Sequence, residues 1–185
     1  MSDEKSNIRT MQIEDPNPAR RKRFLEKLYG YLEDRVSLAE LKGMKREELY
    51  GLAATGHVKL QHGRLEEAEK IFQALLVLDH RNPYIHSAMG AVHQKRNRVV
   101  EAILEYTQAL ALNKSDVASY VNRGEIFLRH HNYKKAAEDF RNAILLDLSG
   151  RNLWANRARS LVIAIKRSME ADRHPPKKRG VIVRN

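Results

Sequence analysis

The sequence predicts an all-α fold made of repeated helix pairs, because one pattern of residues returns three times with a period of 34. The low aromatic content, 6%, and the presence of only nine glycines in 185 residues also disfavour a β-rich fold. Six columns of the repeat agree. They are Gly56, Gly90 and Gly124; Ala68, Ala102 and Ala136; Phe72, Tyr106 and Phe140; Leu75, Ala109 and Ala143; Leu78, Leu112 and Leu146; and Asp79, Asn113 and Asp147.

Each column has a packing role in a helix pair. A glycine in the first helix of a pair lets the second helix approach closely, and a small residue in the second helix does the same from the other side. The aromatic residue four positions after that small residue lies one turn along the same face and fills the space between the helices. We therefore interpret these columns as core positions and not as site residues.

A period of 34 with this order of small and aromatic residues resembles the tetratricopeptide repeat, or TPR. The resemblance implies a TPR solenoid of three helix pairs whose concave groove holds another polypeptide. Such solenoids seldom carry chemistry themselves. The expected function is therefore that of a non-enzymatic protein–protein interaction module, an adaptor or scaffold that binds a peptide segment of a partner in its groove.

Further helices are expected on both sides of the repeats. Apolar residues recur at three- and four-residue steps over 19–36, which predicts an amphipathic helix. Ser37 and Glu40 form a capping-box signature for a short second helix. Trp154 follows Tyr120 by one period, but no second helix follows it, so we expect this last helix to act as a cap.

The chain is expected to have five parts. Prolines at the end of a polar, aperiodic stretch mark the first boundary, and a Ser-Gly pair after the third repeat marks the start of the cap. The parts are a disordered N-terminus (1–16), N-terminal helices (17–48), three TPR repeats (49–82, 83–116 and 117–150), a capping helix (151–171) and a basic flexible tail (172–185).

The composition excludes several classes of protein. The absence of cysteine excludes disulfides, zinc fingers and thiolate catalysis. The longest apolar runs are far shorter than a bilayer span, and the first residues lack the apolar stretch of a secretory signal. We therefore expect a soluble, cytoplasmic protein without cofactor and without insertion into a membrane.

The net charge of +11 is unevenly distributed along the chain. Residues 1–46 carry +3, residues 47–150 carry no net charge, and residues 151–185 carry +8. The repeats are thus neutral, and the excess lies in the last helix and tail. A basic tail keeps a neutral solenoid soluble, and it can also attract nucleic acid, an acidic partner or a membrane surface.

Three segments narrow the resemblance to one family. The stretch from Leu38 to Leu49 precedes the repeats as a short leader helix does in the class II (translocator) chaperones of bacterial type III secretion. The runs 72–80 and 90–94 are similar to the first two repeats of that family, and the resemblance covers roughly residues 20–150. It implies a chaperone that holds an unfolded segment of a pore-forming translocator. A general TPR adaptor fits the same residues, and both interpretations stay open.

The TPR resemblance also implies which side chains line the groove. Small residues with a few amides at these places suit an extended or helical peptide whose larger side chains enter shallow pockets. The expected peptide-binding residues are Tyr50, Ala53, His57, Leu60, Gln61, Tyr84, Ser87, Ala91, Gln94, Lys95, Asn122 and Glu125.

The histidines and acidic residues do not predict a metal or catalytic site. His86 and His93 lie two helical turns apart, about 10 Å along the axis, which is too far to share one zinc ion without other ligands. The sequence has no Ser/His/Asp arrangement, glycine-rich phosphate loop or acidic metal cluster. We therefore expect neither catalytic residues nor metal ligands.

The basic flanks could attract a further kind of partner. The basic clusters at 20–23 and 177–179 lack interleaved aromatics that could stack on bases, so nucleic acid is not expected as the main partner. Binding of nucleic acid or an acidic partner through these flanks is an alternative function.

The N-terminal helix has more apolar surface than one contact with the first repeat needs, which predicts a weak homodimer. Its apolar residues are Phe24, Leu28, Tyr29 and Leu32.

Overall fold

A computed structural model describes residues 16–173, with side chains for residues 16–167. The expected disordered N-terminus and basic tail lie outside this range, apart from residue 16 and from residues 172 and 173, which belong to the last helix. All regular structure in the described range is helical. The helices are α1 (Pro18–Leu32), α2 (Leu38–Leu41), α3 (Arg46–Gln61), α4 (Leu65–Leu78), α5 (Pro83–Lys95), α6 (Val99–Leu112), α7 (Val117–Arg129), α8 (Tyr133–Leu145) and α9 (Leu153–Arg173).

The helices form two compact units. Unit 1 extends to Glu105, and unit 2 begins at Tyr106, so the boundary falls within α6. Within unit 1, α3 packs on α4, α4 packs on α5, and the short α2 contacts α4. Within unit 2, α7 packs on α8, and α9 contacts both of them. The predicted fold class, helical pairs between an N-terminal leader and a capping helix, is confirmed.

The leader helices begin and end at recognisable capping residues. The side chain of Asn17 accepts a hydrogen bond from the Ala19 amide at 3.0 Å and so caps α1. The predicted capping box of α2 is present, since Ser37 Oγ accepts from the Glu40 amide at 3.2 Å and the Glu40 carboxylate accepts from the Ser37 amide at 2.8 Å. Gly43 follows α2 with a left-handed φ of 73°, which stops the helix.

The core of unit 1 contains the repeat columns of the first helix pair. Ala68, Phe72 and Leu75 on α4 are buried, and Gly56 on α3 lies against the ring of Phe72. The buried side chains of Ile85 and Val92 on α5 complete this cluster. Because burial of apolar surface is the main stabilising term in folding, these columns hold the pair together.

The core of unit 2 repeats this arrangement and extends it to the last helix. Phe140 on α8 lies against Gly124 on α7, and the small residues Ala155 and Ala158 of α9 are fully buried against that cluster. The buried Asp139 accepts two hydrogen bonds from the Arg123 guanidinium, at 3.0 and 2.7 Å. A buried carboxylate needs such a partner, because an unpaired charge in the core is costly.

The turn inside each helix pair has the same backbone conformation. Gly63, Asn97 and His131, which are spaced by one period, all have left-handed φ angles, of 74°, 59° and 57°. This conformation lets the chain reverse direction in a short turn between two antiparallel helices. The backbone conformation of the turns therefore repeats with the same 34-residue period as the core residues.

None of the helices in residues 16–173 combines the length and the apolar character needed to cross a bilayer.

Candidate functional site

The twelve residues predicted to bind a peptide are divided between the two units. Ten belong to α3 and α5 of unit 1, two helices that contact each other. The other two belong to α7 of unit 2. The residues are Tyr50, Ala53, His57, Leu60 and Gln61 on α3; Tyr84, Ser87, Ala91, Gln94 and Lys95 on α5; and Asn122 and Glu125 on α7.

Three of these residues form a continuous aromatic surface on unit 1, which we call the aromatic cluster: Tyr50, His57 and Tyr84. The rings of Tyr50 and Tyr84 meet edge to face with centroids 5.9 Å apart, and the His57 ring lies 5.4 Å from that of Tyr84. Underneath, His57 packs edge to face on the buried ring of Phe72 at 5.3 Å. Offset and edge-to-face contacts at these distances are favourable, so the rings hold one another in place.

The aromatic cluster is exposed enough to meet a partner. Tyr50 is 47% exposed and Tyr84 is 41% exposed, whereas His57 is half-buried between them. Exposed tyrosines supported by neighbouring rings combine apolar area with a hydroxyl that can hydrogen-bond. Side chains of this kind are enriched at protein–protein interfaces.

The aromatic cluster carries no charge at neutral pH. Partial burial lowers the pKa of His57, so its imidazole is neutral. Burial, and then the neighbouring Tyr50, raise the pKa of Tyr84, so its hydroxyl stays protonated. The cluster therefore favours apolar or neutral polar groups over a charged side chain.

Polar residues lie near the C-terminal end of α3. The Lys95 ammonium donates to the carbonyl oxygen of Leu60 at 3.2 Å and so satisfies one of the unpaired carbonyls in the last turn of α3. Gln61, the last residue of that helix, is exposed, while Ser87 and Gln94 on α5 are half-buried. The predicted surface of unit 1 thus combines the aromatic cluster with polar residues at the C-terminal ends of α3 and α5.

Two predicted residues of α3 are not on the surface. Ala53 is 1% exposed and Leu60 is 6% exposed, and both belong to the buried core of unit 1. The physical reason is that the closely packed α4 and α5 cover the face of α3 that carries them. In this structure they support the surface from below and are not accessible to a partner.

The two predicted residues of unit 2 already have partners within the chain. Asn122 hydrogen-bonds the hydroxyl of the buried Tyr106. The Glu125 carboxylate accepts a bidentate pair of hydrogen bonds from Arg157 of α9, one of them 2.9 Å long. Both side chains therefore contribute to packing within unit 2, and the strongest concentration of accessible groups is in unit 1.

Tyr50, His57 and Tyr84 are each predicted from the sequence as groove residues, but their contact with one another is not predicted there. The signal was available, because Tyr84 follows Tyr50 by one period. Equivalent positions of successive first helices lie side by side in a stack of helix pairs, which predicts that such residues meet. The surface predicted to consist of small residues and amides therefore also contains an aromatic cluster.

The buried histidines serve other roles. The two ring nitrogens of His86 lie 2.7 Å from the Glu105 carboxylate and 2.8 Å from the His80 carbonyl oxygen. His93 is also buried, and its Nδ1 has no hydrogen-bond partner among residues 16–167. Among the residues with described side chains, no group of three or more histidine, aspartate or glutamate residues is placed to hold a metal ion.

Comparison with known proteins identifies similar chaperones. The chaperone protein SicA of Salmonella typhimurium is 27% identical over 124 residues, which are 67% of this chain and 75% of SicA. No family model matches the chain. The O-mannosyl-transferase TMTC3 of Homo sapiens is 32% identical over 89 residues, but these amount to 10% of that enzyme.

Solved structures of type III secretion proteins share the fold. A secretion complex from Aeromonas hydrophila matches with a TM-score of 0.68 and 27% identity, over 77% of this chain and 97% of that one. PcrH of Pseudomonas aeruginosa, solved with the chaperone binding region of PopD, matches with a TM-score of 0.62 and 25% identity, over 69% and 97%. The predicted identification as a TPR protein similar to translocator chaperones is confirmed.

Proposed function

We propose that this protein is a peptide-binding TPR module whose contact surface in unit 1 is centred on Tyr50, His57 and Tyr84. The observation that carries the proposal is the contact among these three rings, which leaves two tyrosines exposed and mutually supported. Rings already held by their neighbours lose little side-chain entropy when a partner binds, so more of the contact energy appears as affinity.

The chemistry of the aromatic cluster defines the kind of segment that it binds. Because the rings are neutral, an apolar side chain of the partner gains more there than a charged one. Gln61, Gln94 and Lys95 lie at the C-terminal ends of α3 and α5, where their polar groups can meet the backbone of an extended or helical peptide. The partner segment is therefore apolar with an accessible backbone.

A translocator chaperone is one specific form of this function, and it is consistent with the relatives. SicA is a chaperone, and PcrH was solved with the chaperone binding region of PopD. The proposed partner is accordingly a protein with a segment like that region, met in the cytoplasm. A general TPR adaptor with another peptide partner is the second candidate, and it uses the same aromatic cluster.

The experiment that tests the surface uses the chaperone binding region of PopD as a labelled peptide and fluorescence anisotropy as the measurement. Tyr84→Ala is expected to weaken binding by about tenfold or more, which corresponds to a loss of about 1.4 kcal/mol or more at a central aromatic contact. Ala91→Trp places a bulky ring on the same helix, one period after His57, and is expected to block the surface.

Matched controls separate the surface from general effects. Tyr133→Ala removes an exposed tyrosine from unit 2 and should leave the affinity unchanged. Thermal melting followed by circular dichroism checks that each variant remains folded. Unchanged affinity in both Tyr84→Ala and Ala91→Trp would show that the aromatic cluster is not the site. If the wild-type chain does not bind the PopD peptide but binds another peptide through this cluster, the result would favour the function of a general TPR adaptor.

A further inference from the structure

The turns inside the helix pairs provide an internal comparison, because they share one backbone conformation but differ in charge. In unit 1, the arginines near two of these turns are paired with carboxylates of α4. Arg64 Nε donates to Glu67 at 2.5 Å, and Arg98 donates to the buried Glu69 at 2.6 Å, with Arg96 on the same carboxylate. Turns of this kind are therefore neutralised within the chain.

The α7–α8 turn of unit 2 departs from this rule. The first turn of α4 contains Glu66 and Glu67. Two periods later, the equivalent positions in the first turn of α8 are Lys134 and Lys135. No carboxylate lies in the first turn of α8, although the helix dipole favours acidic groups there. Glu138, one turn further along α8, is exposed.

Other residues add to the positive charge of this turn. Arg129, His130 and His131 are exposed immediately before α8. His131 occupies the left-handed position that Gly63 and Asn97 fill in the other two turns, although glycine and asparagine adopt this conformation more readily. The sequence therefore departs from local preferences at several neighbouring positions, and each departure leaves a basic or ring-bearing side chain on the surface. Such concentrated departures are expected at functional positions.

We propose that this basic turn, defined as Arg129, His130, His131, Lys134 and Lys135, binds an acidic peptide segment of a partner protein. It is a second contact surface, distinct from the aromatic cluster of unit 1, and it does not depend on that cluster. The guanidinium of Arg129 matches a carboxylate in a bidentate pair, and the exposed ammonium of Lys134 adds a second cation.

The arrangement of rings favours a peptide over a nucleic acid. Tyr133 is hydrogen-bonded through its hydroxyl to His131 Nδ1 at 2.8 Å and meets the His131 ring edge to face. The Phe127 ring lies under the Lys135 ammonium at 5.3 Å. These rings are engaged with side chains of the turn, whereas single-stranded nucleic acid needs ring faces for stacking along an extended groove.

The test exploits the repeat itself. The double variant Lys134→Glu/Lys135→Glu installs the residues that begin α4, so the fold is expected to tolerate it, and acidic groups suit a helix N-terminus. The matched control is Lys114→Glu/Arg151→Glu, which changes the net charge equally at exposed positions. These lie before α7 and after α8, and hence at the opposite ends of those helices from the turn. Residues 174–185 are present in both variants, so any contribution from them cancels.

The measurement is the anisotropy of a labelled polyglutamate peptide titrated with the full chain at about 50 mM and about 500 mM salt. We expect the wild type to bind the peptide at low salt. Relative to the wild type, the affinity should be lower by about tenfold or more in the turn variant and by less than about threefold in the control. Equal loss in both variants, or no binding by the wild type, would overturn the proposal. Loss of oligothymidylate binding without loss of polyglutamate binding would also overturn it, since the turn would then be a nucleic-acid surface.

Discussion

Gly56 lies so close to Phe72 that a Cβ atom added to the glycine would be 2.8 Å from Cζ of the ring. Gly124 and Phe140 show the same relationship two repeats later, again with 2.8 Å to a ring carbon. Real Cβ atoms do not approach a ring carbon so closely. In these two pairs, α3–α4 and α7–α8, the helices therefore pack through a missing side chain on one helix and an aromatic ring on the other.

This packing predicts the effect of the smallest substitution. Gly56→Ala and Gly124→Ala should each destabilise the fold by about 1–3 kcal/mol, because the buried rings of Phe72 and Phe140 cannot move away without disturbing the core. Gly51→Ala is the matched control, since an added Cβ there meets nothing within 4 Å. It should stabilise the helix by about 0.5–1 kcal/mol. Urea denaturation measures all three, and a loss of stability in Gly51→Ala equal to the others would contradict the explanation.

His86 predicts that the stability of the protein depends on pH. Burial alone would lower the pKa of His86, but the hydrogen bonds to Glu105 and the His80 carbonyl, together with the charges of Glu105 and Asp79, raise it above its usual value. The folded chain therefore holds this proton more tightly than the unfolded chain does. The contribution of His86 to stability is complete below the unfolded pKa, near 6.5, and is lost as the pH rises through the folded pKa.

The measurement is the free energy of unfolding in urea at pH values from about 5.5 to about 8.5, compared between wild type and His86→Gln. The wild type should lose stability toward higher pH in this window, and the variant should show a flatter profile. A second variant, Glu105→Gln, removes the carboxylate but keeps the histidine and should lower the pKa of His86. Parallel pH profiles for all three proteins would show that His86 does not titrate with folding.

Asp147 predicts the opposite dependence, at acid pH. Hydrogen bonds from Ser149 and the Asn152 amide lower the pKa of Asp147 to about 2. The stability that this carboxylate contributes is present above its unfolded pKa, near 3.8, and is lost as the pH falls through the folded value. Asp147→Asn should therefore reduce the difference in melting temperature between neutral and acidic buffers. An unaltered difference would mean that the α8–α9 connection does not depend on this charge.

The surface of α1 predicts self-association. Tyr29 is 63% exposed and Leu32 is 70% exposed, and both lie on the helix expected to form a weak homodimer. Tyr29→Ser/Leu32→Ser should shift the protein toward the monomer in sedimentation velocity, while leaving peptide binding by unit 1 intact. Val77→Ser on α4, which removes an equally exposed apolar side chain, is the control and should not change the sedimentation profile. A wild-type chain that sediments as a monomer at high concentration would exclude the dimer.

The repeat period carried most of what could be predicted about the fold. The close approach of Gly56 to Phe72 and the capping box at Ser37 both follow from local patterns, namely spacing, side-chain size and capping. The approach of a glycine to an aromatic ring recurs at Gly124 and Phe140, so the repeating sequence displays it more than once. Because the pattern recurs along the chain, it can be recognised in a single sequence.

The candidate site was less predictable than the fold, because the exposure of a side chain depends on the helices packed around it. Tyr50 and Ala53 stand three residues apart on α3, yet the first is half-exposed and the second is covered by the adjacent helices. Glu125 has the spacing of a groove residue, but Arg157 of α9 neutralises it. Whether a side chain meets solvent, a ring or a counter-ion depends on helices remote in sequence.

The sequence by itself thus determined the class of fold and the helices that could form a binding surface, since a period of 34 and its small and aromatic columns specify how helices pair. Only the tertiary structure decided that Tyr50, His57 and Tyr84 join into one neutral surface. It also decided that Arg64 and Arg98 pair with carboxylates of α4, whereas the first turn of α8 holds no acidic residue. The physical reason is that burial lowers the pKa of His57, and contacts across helices, not spacing along them, assign each charge its partner.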